Sequence, residues 1–243
     1  MMSNHVYIFD VDGTLTPSRD RIDEDFRLWF LEFVKWNNVY LVTGSDKSKT
    51  EEQIGKELFN KVECVYNSSG NTKHKNGVCV FNTKNLELPR DAYAFLLKKS
   101  ISSDFDIATG NHFESRPGLL NFSIVGRNAN RVQRKKYVKF DTATNERQLI
   151  SDEFNKKFTG KFGLISQVAG ETGLDIIEIG KDKAQILKDF TFQDKLIFFG
   201  DNIQWGGNDY GIGQAIQYSP YAYSECHNVK NWKETWKILK RFK

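Results

Sequence analysis

The stretch Phe9-Asp10-Val11-Asp12-Gly13-Thr14-Leu15-Thr16 places two carboxylates two residues apart, directly after the apolar run Val6-Tyr7-Ile8-Phe9. In an extended strand, side chains i and i+2 point to the same side. Two like charges held together are costly unless a cation offsets them. A calcium loop does not account for the pair: counting Asp10 as position one, position six is Leu15, where glycine is required. A plain surface turn does not explain acids at the carboxyl end of a buried strand, where open α/β sheets place their ligands. A second apolar run, Leu196-Ile197-Phe198-Phe199, leads through Gly200 to Asp201, with Asp209 in the loop beyond. Such carboxylates converge on the hard-oxygen ligand set expected for Mg2+, which binds through one or two carboxylates plus substrate phosphate. The expected metal ligands are Asp10, Asp12, Asp201 and Asp209. A metal there offsets the crowded charge and leaves a carboxylate free to attack an electrophile.

Two further pieces suit a phosphate. Thr43 ends the strand-like Asn38-Val39-Tyr40-Leu41-Val42, and the backbone of Gly44 and Ser45 opens a helix. A hydroxyl beside helix N-terminal amides is an anion cradle, although simple N-capping by Ser45 explains the same residues. Lys183 stands at the entry of a helix that feeds the Asp201 strand. A lysine in that place is usually solvated, but one is needed to hold the charge of an aspartyl-phosphate.

The elements that must carry these groups alternate. Val6 to Asp10 is a strand, residues 22–36 carry apolar side chains at helical spacing, Asn38 to Gly44 is a strand, residues 45–59 read as one helix, and residues 61–70 as a third strand. This order predicts a doubly wound parallel sheet. The last sixty residues return to that style, with a helix over 183–190, strands over 195–201 and 215–220, and a final amphipathic helix over 229–242. The middle is different: helices near 91–99 and 151–158, and strands at 119–126, 163–169 and 173–180, punctuated by Gly and Asn. The expected architecture is α/β, a parallel-sheet core (residues 1–81 and 181–243) with an inserted α+β cap (residues 82–180), an antiparallel sheet with helices on one face.

The 243 residues, 39% hydrophobic and 27% charged, fit a globular chain with a sizeable core rather than a disordered one. No run of about 18 apolar residues predicts a membrane span, and the start lacks the basic and apolar regions of a signal peptide. Cys64, Cys79 and Cys226 are scattered without a CxxC, which reads as free thiols in a reducing, cytoplasmic setting. The net charge of +4 is too small to imply nucleic acid. It is locally concentrated, however, in Arg116, Arg127, Arg131 and Arg134, with no acid among them. That segment is either a solvated or RNA-contacting basic face continued by Lys135 and Lys136, or a phosphate clamp, for which the planar guanidinium fork is well suited.

The four segments FDVDGTLT, LVTGS, the Lys183 region and FFGD…GGND, in that order, resemble the motifs of the haloacid dehalogenase superfamily of phosphotransferases. The resemblance implies that Asp10 is a nucleophile that becomes phosphorylated and Asp12 a general acid/base, with Thr43 and Lys183 completing the catalytic set. The cap segment ESRPGLLNFSIVGRNANRVQR resembles that of the eukaryotic-type phosphomannomutases, a resemblance that spans nearly the whole chain. By that resemblance Arg116, Arg127 and Arg134 fall on cap arginines that bind sugar phosphate, Arg19 on the arginine after the first motif, and Asp175 on a sugar-contacting aspartate. Gly44, Ser45, Asn121 and Asn208 join them as substrate-binding positions. The resemblance further implies Mg2+, a hexose 1,6-bisphosphate activator, a phosphorylated sugar as substrate, and a homodimer through the cap. The expected reaction is interconversion of mannose 6- and 1-phosphates, with a sugar-phosphate phosphatase as the alternative. Gly173 departs from the family, which has serine there, so a hydroxyl contact to the sugar is missing.

Overall fold

The computed structural model describes residues 4–218 and 224–242. In chain order the elements are β1 (Asn4–Phe9), α1 (Glu24–Trp36), β2 (Asn38–Val42), α2 (Lys47–Ile54), α3 (Lys56–Lys61), β3 (Cys64–Asn67), β4 (Thr72–Lys75), β5 (Val78–Asn82), α4 (Arg90–Ile101), β6 (Phe113–Arg116), β7 (Leu119–Phe122), α5 (Arg131–Thr144) and α6 (Glu146–Phe162). They continue with β8 (Leu164–Ala169), β9 (Gly173–Glu178), a 3-10 segment Lys183–Asp189, β10 (Asp194–Gly200), α7 (Tyr210–Gln217), β11 (Glu225–Asn228) and α8 (Trp232–Leu239). The chain divides into two compact units: Met1–Asn82, Lys181–Trp205 and Asp209–Lys243 form one, and Thr83–Gly180 with Gly206–Asn208 the other.

The first unit is an α/β core. Its sheet runs β11-β10-β1-β2-β3-β4-β5, parallel from β11 to β3 and finished by an antiparallel hairpin. Parallel strands are covered on both faces, and β1 shows it. Tyr7 and Phe9 face a cluster with Phe26, Phe30 and Phe33 of α1 and Leu239 of α8, whereas Val6 and Ile8 face Ile186 and Leu187 of the 3-10 segment and Ile212 of α7. Helix α1 starts where Asp23 accepts a hydrogen bond from the Phe26 N–H, with Glu24 and Asp25 favouring its positive end. Trp232 and Trp236 of α8 stack on Phe26, closing that face.

The second unit is an α+β cap. Its antiparallel sheet runs β6-β7-β9-β8. Alternation along each strand sends Leu120, Phe122, Leu174 and Ile176 into a core shared with Leu96, Tyr137, Ile150, Phe154 and Phe158 of α4, α5 and α6. The other face of the same strands carries Glu114, Asn121 and Asp175, which the register sets in one cross-strand row.

Several local expectations are corrected. The strand β1 ends at Phe9, so Asp10 and Asp12 lie in the turn beyond it and strand alternation does not bring them together. The single helix over 45–59 is two helices, because Gly55 adopts φ +82°, and its N-cap is Asp46 rather than Ser45. Residues 183–190 form a 3-10 segment, not an α-helix. The strand at 215–220 is instead the end of α7 through Gln217, while Ser219 and Pro220 lie outside the described residues. The β4–β5 hairpin, β6, α5, α7 and β11 were not legible, being short, polar or exposed.

In the cap, Gly126 holds φ +83°, and a Cβ there would lie 1.9 Å from the Thr109 carbonyl oxygen. Gly126→Ala is expected to cost roughly 3 kcal/mol through combined strain and overlap, seen as a lowered urea midpoint. A midpoint equal to the parent's would refute this account of the turn.

Candidate functional site

The core builds its site from chain segments that leave the carboxyl ends of β1, β2 and β10. Asp10 follows β1, its N–H bonded to the Phe199 carbonyl at 2.9 Å. Asp201 follows β10, and Asp209 precedes α7, with its N–H on the Asn202 carbonyl at 3.1 Å. Carboxylate oxygens of Asp10, Asp201 and Asp209 all lie within 4.8 Å of one another. Two close approaches by backbone allow this. Gly13, at φ +84°, would put a Cβ 2.1 Å from Asp201 Oδ2, and Gly200 would put one 2.7 Å from Asp209 Oδ2.

Lys183 is the internal counter-charge. Only 1% exposed, it donates from Nζ to Asp10 Oδ1 at 2.5 Å and to Asp209 Oδ1 at 2.6 Å. Burial disfavours its ammonium, but the charges of Asp10 and Asp209 outweigh that and raise its pKa. Burial likewise pushes Asp10 well above the usual carboxylate range, opposed by Lys183 and reinforced by Asp209 and Asp201. Asp201 is pushed up to about 7, first by desolvation and then by the charge of Asp209. Three carboxylates against one ammonium leave excess negative charge, and an all-oxygen donor set fits a hard divalent cation.

Asp12 stands apart from that group. Its Oδ1 accepts from the Arg19 N–H at 2.7 Å and from Gln53 Nε2 at 2.9 Å, and its Oδ2 from Ser45 Oγ at 3.2 Å. Burial opposes its ionisation, but the charge of Lys49 and the hydrogen bonds from Arg19 and Gln53 lower its pKa below the ordinary value. Arg19 contributes its backbone from φ +54° as well as its charge. Thr43, buried at the end of β2, accepts the Ser45 N–H on its hydroxyl at 3.1 Å, so the Ser45 amide is engaged within its own loop. That loop is pinned from β3: Asn67 Nδ2 donates to the Ser45 carbonyl at 3.1 Å, and the Ser69 N–H to the Thr43 carbonyl at 2.8 Å. Gly44 sits between these two anchors. Gln53 and Asn67 were missed in the sequence, where a helix glutamine and a turn asparagine carry no distinguishing signal.

The cap carries a second charged cluster. Glu114 Oε1 accepts from Arg116 Nε at 3.0 Å and Nη2 at 2.7 Å, and its Oε2 pairs with Arg127 Nη2. Arg127 Nη1 donates to Asn121 Oδ1 at 2.6 Å, and Asn121 Nδ2 donates to Asp175 Oδ1 at 2.5 Å. Burial opposes the Glu114 charge, yet Arg116 and Arg127 hold its carboxyl below the usual range. Arg134 bonds elsewhere, to Thr172 Oγ1 at 3.0 Å and Glu171 at 3.3 Å, in the turn between β8 and β9. Arg131 is exposed at the start of α5. Asn208 lies in the Gly206–Asn208 segment, whose Gly206 carbonyl accepts the Val168 N–H at 3.0 Å. Gly173 lets Asn121 close in, since a Cβ there would fall 2.7 Å from Asn121 Nδ2. Glu114, the hub of this cluster, is marked in the sequence only by its i, i+2 spacing from Arg116 on a strand.

A cation held by Asp10, Asp201 and Asp209 must compete with protons below the raised pKa of Asp201. Divalent-cation affinity is therefore expected to fall as the pH drops through about 7, by about tenfold per unit for each carboxylate that takes up a proton. Calorimetric Mg2+ titrations from pH 5.5 to 8 check this, and a constant affinity across that range would contradict it.

The sequence pattern of the eukaryotic phosphomannomutase family matches residues 28–242. The match begins after the Asp10–Asp12 turn, whose assignment rests on its geometry. A phosphomannomutase of Spinacia oleracea is 32% identical over 212 residues, covering 85% of each chain. One of Arabidopsis thaliana is 32% identical over 215 residues, covering 85% of this chain and 86% of that one. Among solved structures, the C-terminal domain of a C. albicans trehalose-6-phosphate phosphatase shares the fold at a TM-score of 0.67 with 14% identity, over 98% of this chain and 91% of that one. A haloacid dehalogenase-like hydrolase of Bacteroides thetaiotaomicron does so at 0.54 with 13% identity, over 98% and 99%. Among the described residues no helix is long and apolar enough to cross a membrane. With an aspartate triad suited to aspartyl-phosphate chemistry on a haloacid dehalogenase-like core, the chain belongs to the eukaryotic phosphomannomutase family.

Proposed function

We propose that the chain is a phosphohexomutase that interconverts mannose 6-phosphate and mannose 1-phosphate through a phosphorylated Asp10, primed by a hexose 1,6-bisphosphate. The observation that carries this reading is a second, separate arginine cluster. A phosphatase needs one phosphate site and water, whereas a mutase must hold one phosphate while the other reacts. The carboxylate and lysine group of the core suits the reacting phosphate, and Arg116 and Arg127 in the cap suit the one retained.

Each residue has a task in that scheme. Lys183 occupies Oδ1 of Asp10 and leaves the other carboxylate oxygen to attack phosphorus. As the phosphorus–oxygen bond to the sugar breaks, Asp12 in its protonated form gives the leaving oxygen a proton. In the return step Asp12 takes the proton from the sugar hydroxyl that attacks the aspartyl-phosphate. Its lowered pKa suits the base half of the cycle, in which it must start ionised. Arg19, Gln53 and Ser45 hold its carboxylate so that only its proton state changes. The hydroxyl hydrogen of Thr43 and the ammonium of Lys183 supply donors for the transferring phosphoryl oxygens. Asp10, Asp201 and Asp209 would hold Mg2+, which would supply charge neutralisation for the phosphoryl group. Asp175 and Asn121, adjacent to the cap arginines, are placed to meet sugar hydroxyls.

Incubation with mannose 1-phosphate and a trace of bisphosphate is expected to yield the 6-phosphate isomer faster than free phosphate. Phosphate release without isomer would make the chain a sugar-phosphate phosphatase instead. Asp10→Asn is expected to lower turnover by at least about a thousandfold with the fold retained, read in the same assay alongside circular dichroism. Residual activity near the parent's would remove Asp10 as nucleophile.

A further inference from the structure

In the cap, Arg116 and Arg127 already have an anion. Glu114 stands two residues before Arg116 on the same face of β6 and opposite Asn121 on β7. Its two oxygens are divided between the two guanidinium groups, Oε1 on Arg116 at 2.7 and 3.0 Å and Oε2 on Arg127. Two oxygens bridging two guanidinium forks is the geometry that a phosphate monoester offers such a pair. Asp175 adds a second negative charge to the row, so two carboxylates stand against two arginines. The Nε of Arg127 is nevertheless buried without a hydrogen-bond partner, a donor that the internal carboxylate leaves unused. A self-neutralised cluster attracts a free dianion far less than two open guanidinium groups would.

We propose that Glu114 is a built-in competitor for the substrate's phosphate. In the ligand-free cap it occupies donors of Arg116 and Arg127 that a phosphate monoester takes over on binding. This rests on the reading of the cluster as the sugar-phosphate site. The consequence is selectivity. Inorganic phosphate brings only its own oxygens and displaces the carboxylate poorly, whereas a sugar phosphate adds hydroxyl contacts to Asn121 and Asp175 that compensate for the displacement. If Glu114 were instead a fixed clamp that keeps the arginines aimed, removing its charge would weaken anion binding. The two roles predict opposite signs.

Calorimetric titration of the full chain with inorganic phosphate in metal-free buffer tests this, because the uncompensated core carboxylates then repel the anion. Glu114→Gln, which keeps shape and removes charge, is expected to bind phosphate at least tenfold more tightly than the parent. Adding Arg127→Ala to that variant is expected to abolish the gain. Unchanged or weaker phosphate binding by folded Glu114→Gln overturns the proposal. Should that variant fail to fold, Glu114→Asp, with its carboxylate drawn back by one methylene, must also tighten phosphate binding, and its failure to do so overturns the proposal equally. The underlying site reading fails separately: if Arg127→Ala alone leaves mannose 1-phosphate affinity unchanged, the cluster is not the sugar-phosphate site, whatever Glu114 does to inorganic phosphate.

Discussion

A single buried ammonium makes the core site possible. Lys183 touches Asp10 and Asp209 with almost no access to water, and without it three carboxylates would repel one another at short range. A buried ion pair is weak evidence for stability, because both charges lose hydration, but removing one partner leaves an uncompensated charge that is strongly destabilising. The arrangement is therefore committed. The lysine holds the carboxylates near enough for one cation to be shared, and it occupies one oxygen of Asp10 while leaving the other free for chemistry.

The cap solves the converse problem. There two arginines are drawn together, and carboxylates on neighbouring positions of the sheet keep them neutralised. Both clusters draw on sheet geometry: Asp10 and Asp201 follow strand ends, and Glu114, Asn121 and Asp175 share one pleated face. The long side chains of Lys183, Arg116 and Arg127 thus reach to groups whose backbone the sheet fixes. Asn121 shows how tightly this is drawn, since one amide serves Arg127 through its oxygen and Asp175 through its nitrogen.

Much of this was legible from residue types. Asp10 and Asp201 follow apolar runs that had to be buried strands, their convergence follows from parallel strand order, and Asp209 lies in the loop just beyond the second run. The parallel core and antiparallel cap were legible because hydrophobic period changes between them. What failed was local: Gly55 interrupts a helix whose composition is continuous, and Ala215-Ile216-Gln217 has too short an apolar pattern to separate helix from strand. Arg134 could not be told from Arg116 and Arg127 by type, because only the β8–β9 turn gives it its partners, Thr172 and Glu171. Gln53 and Asn67 act through contacts made across the fold, which no spacing along the chain encodes.

The two glycines beside the triad make a different point. At Gly13 and Gly200 a side chain of even one carbon would occupy the space that Asp201 and Asp209 need. The geometry of the carboxylate triad is thus moulded by vacancy as much as by the acids themselves. Under random mutagenesis those two positions should be as intolerant of alanine as the aspartates are of asparagine, an invariance set by volume in residues with no functional group at all.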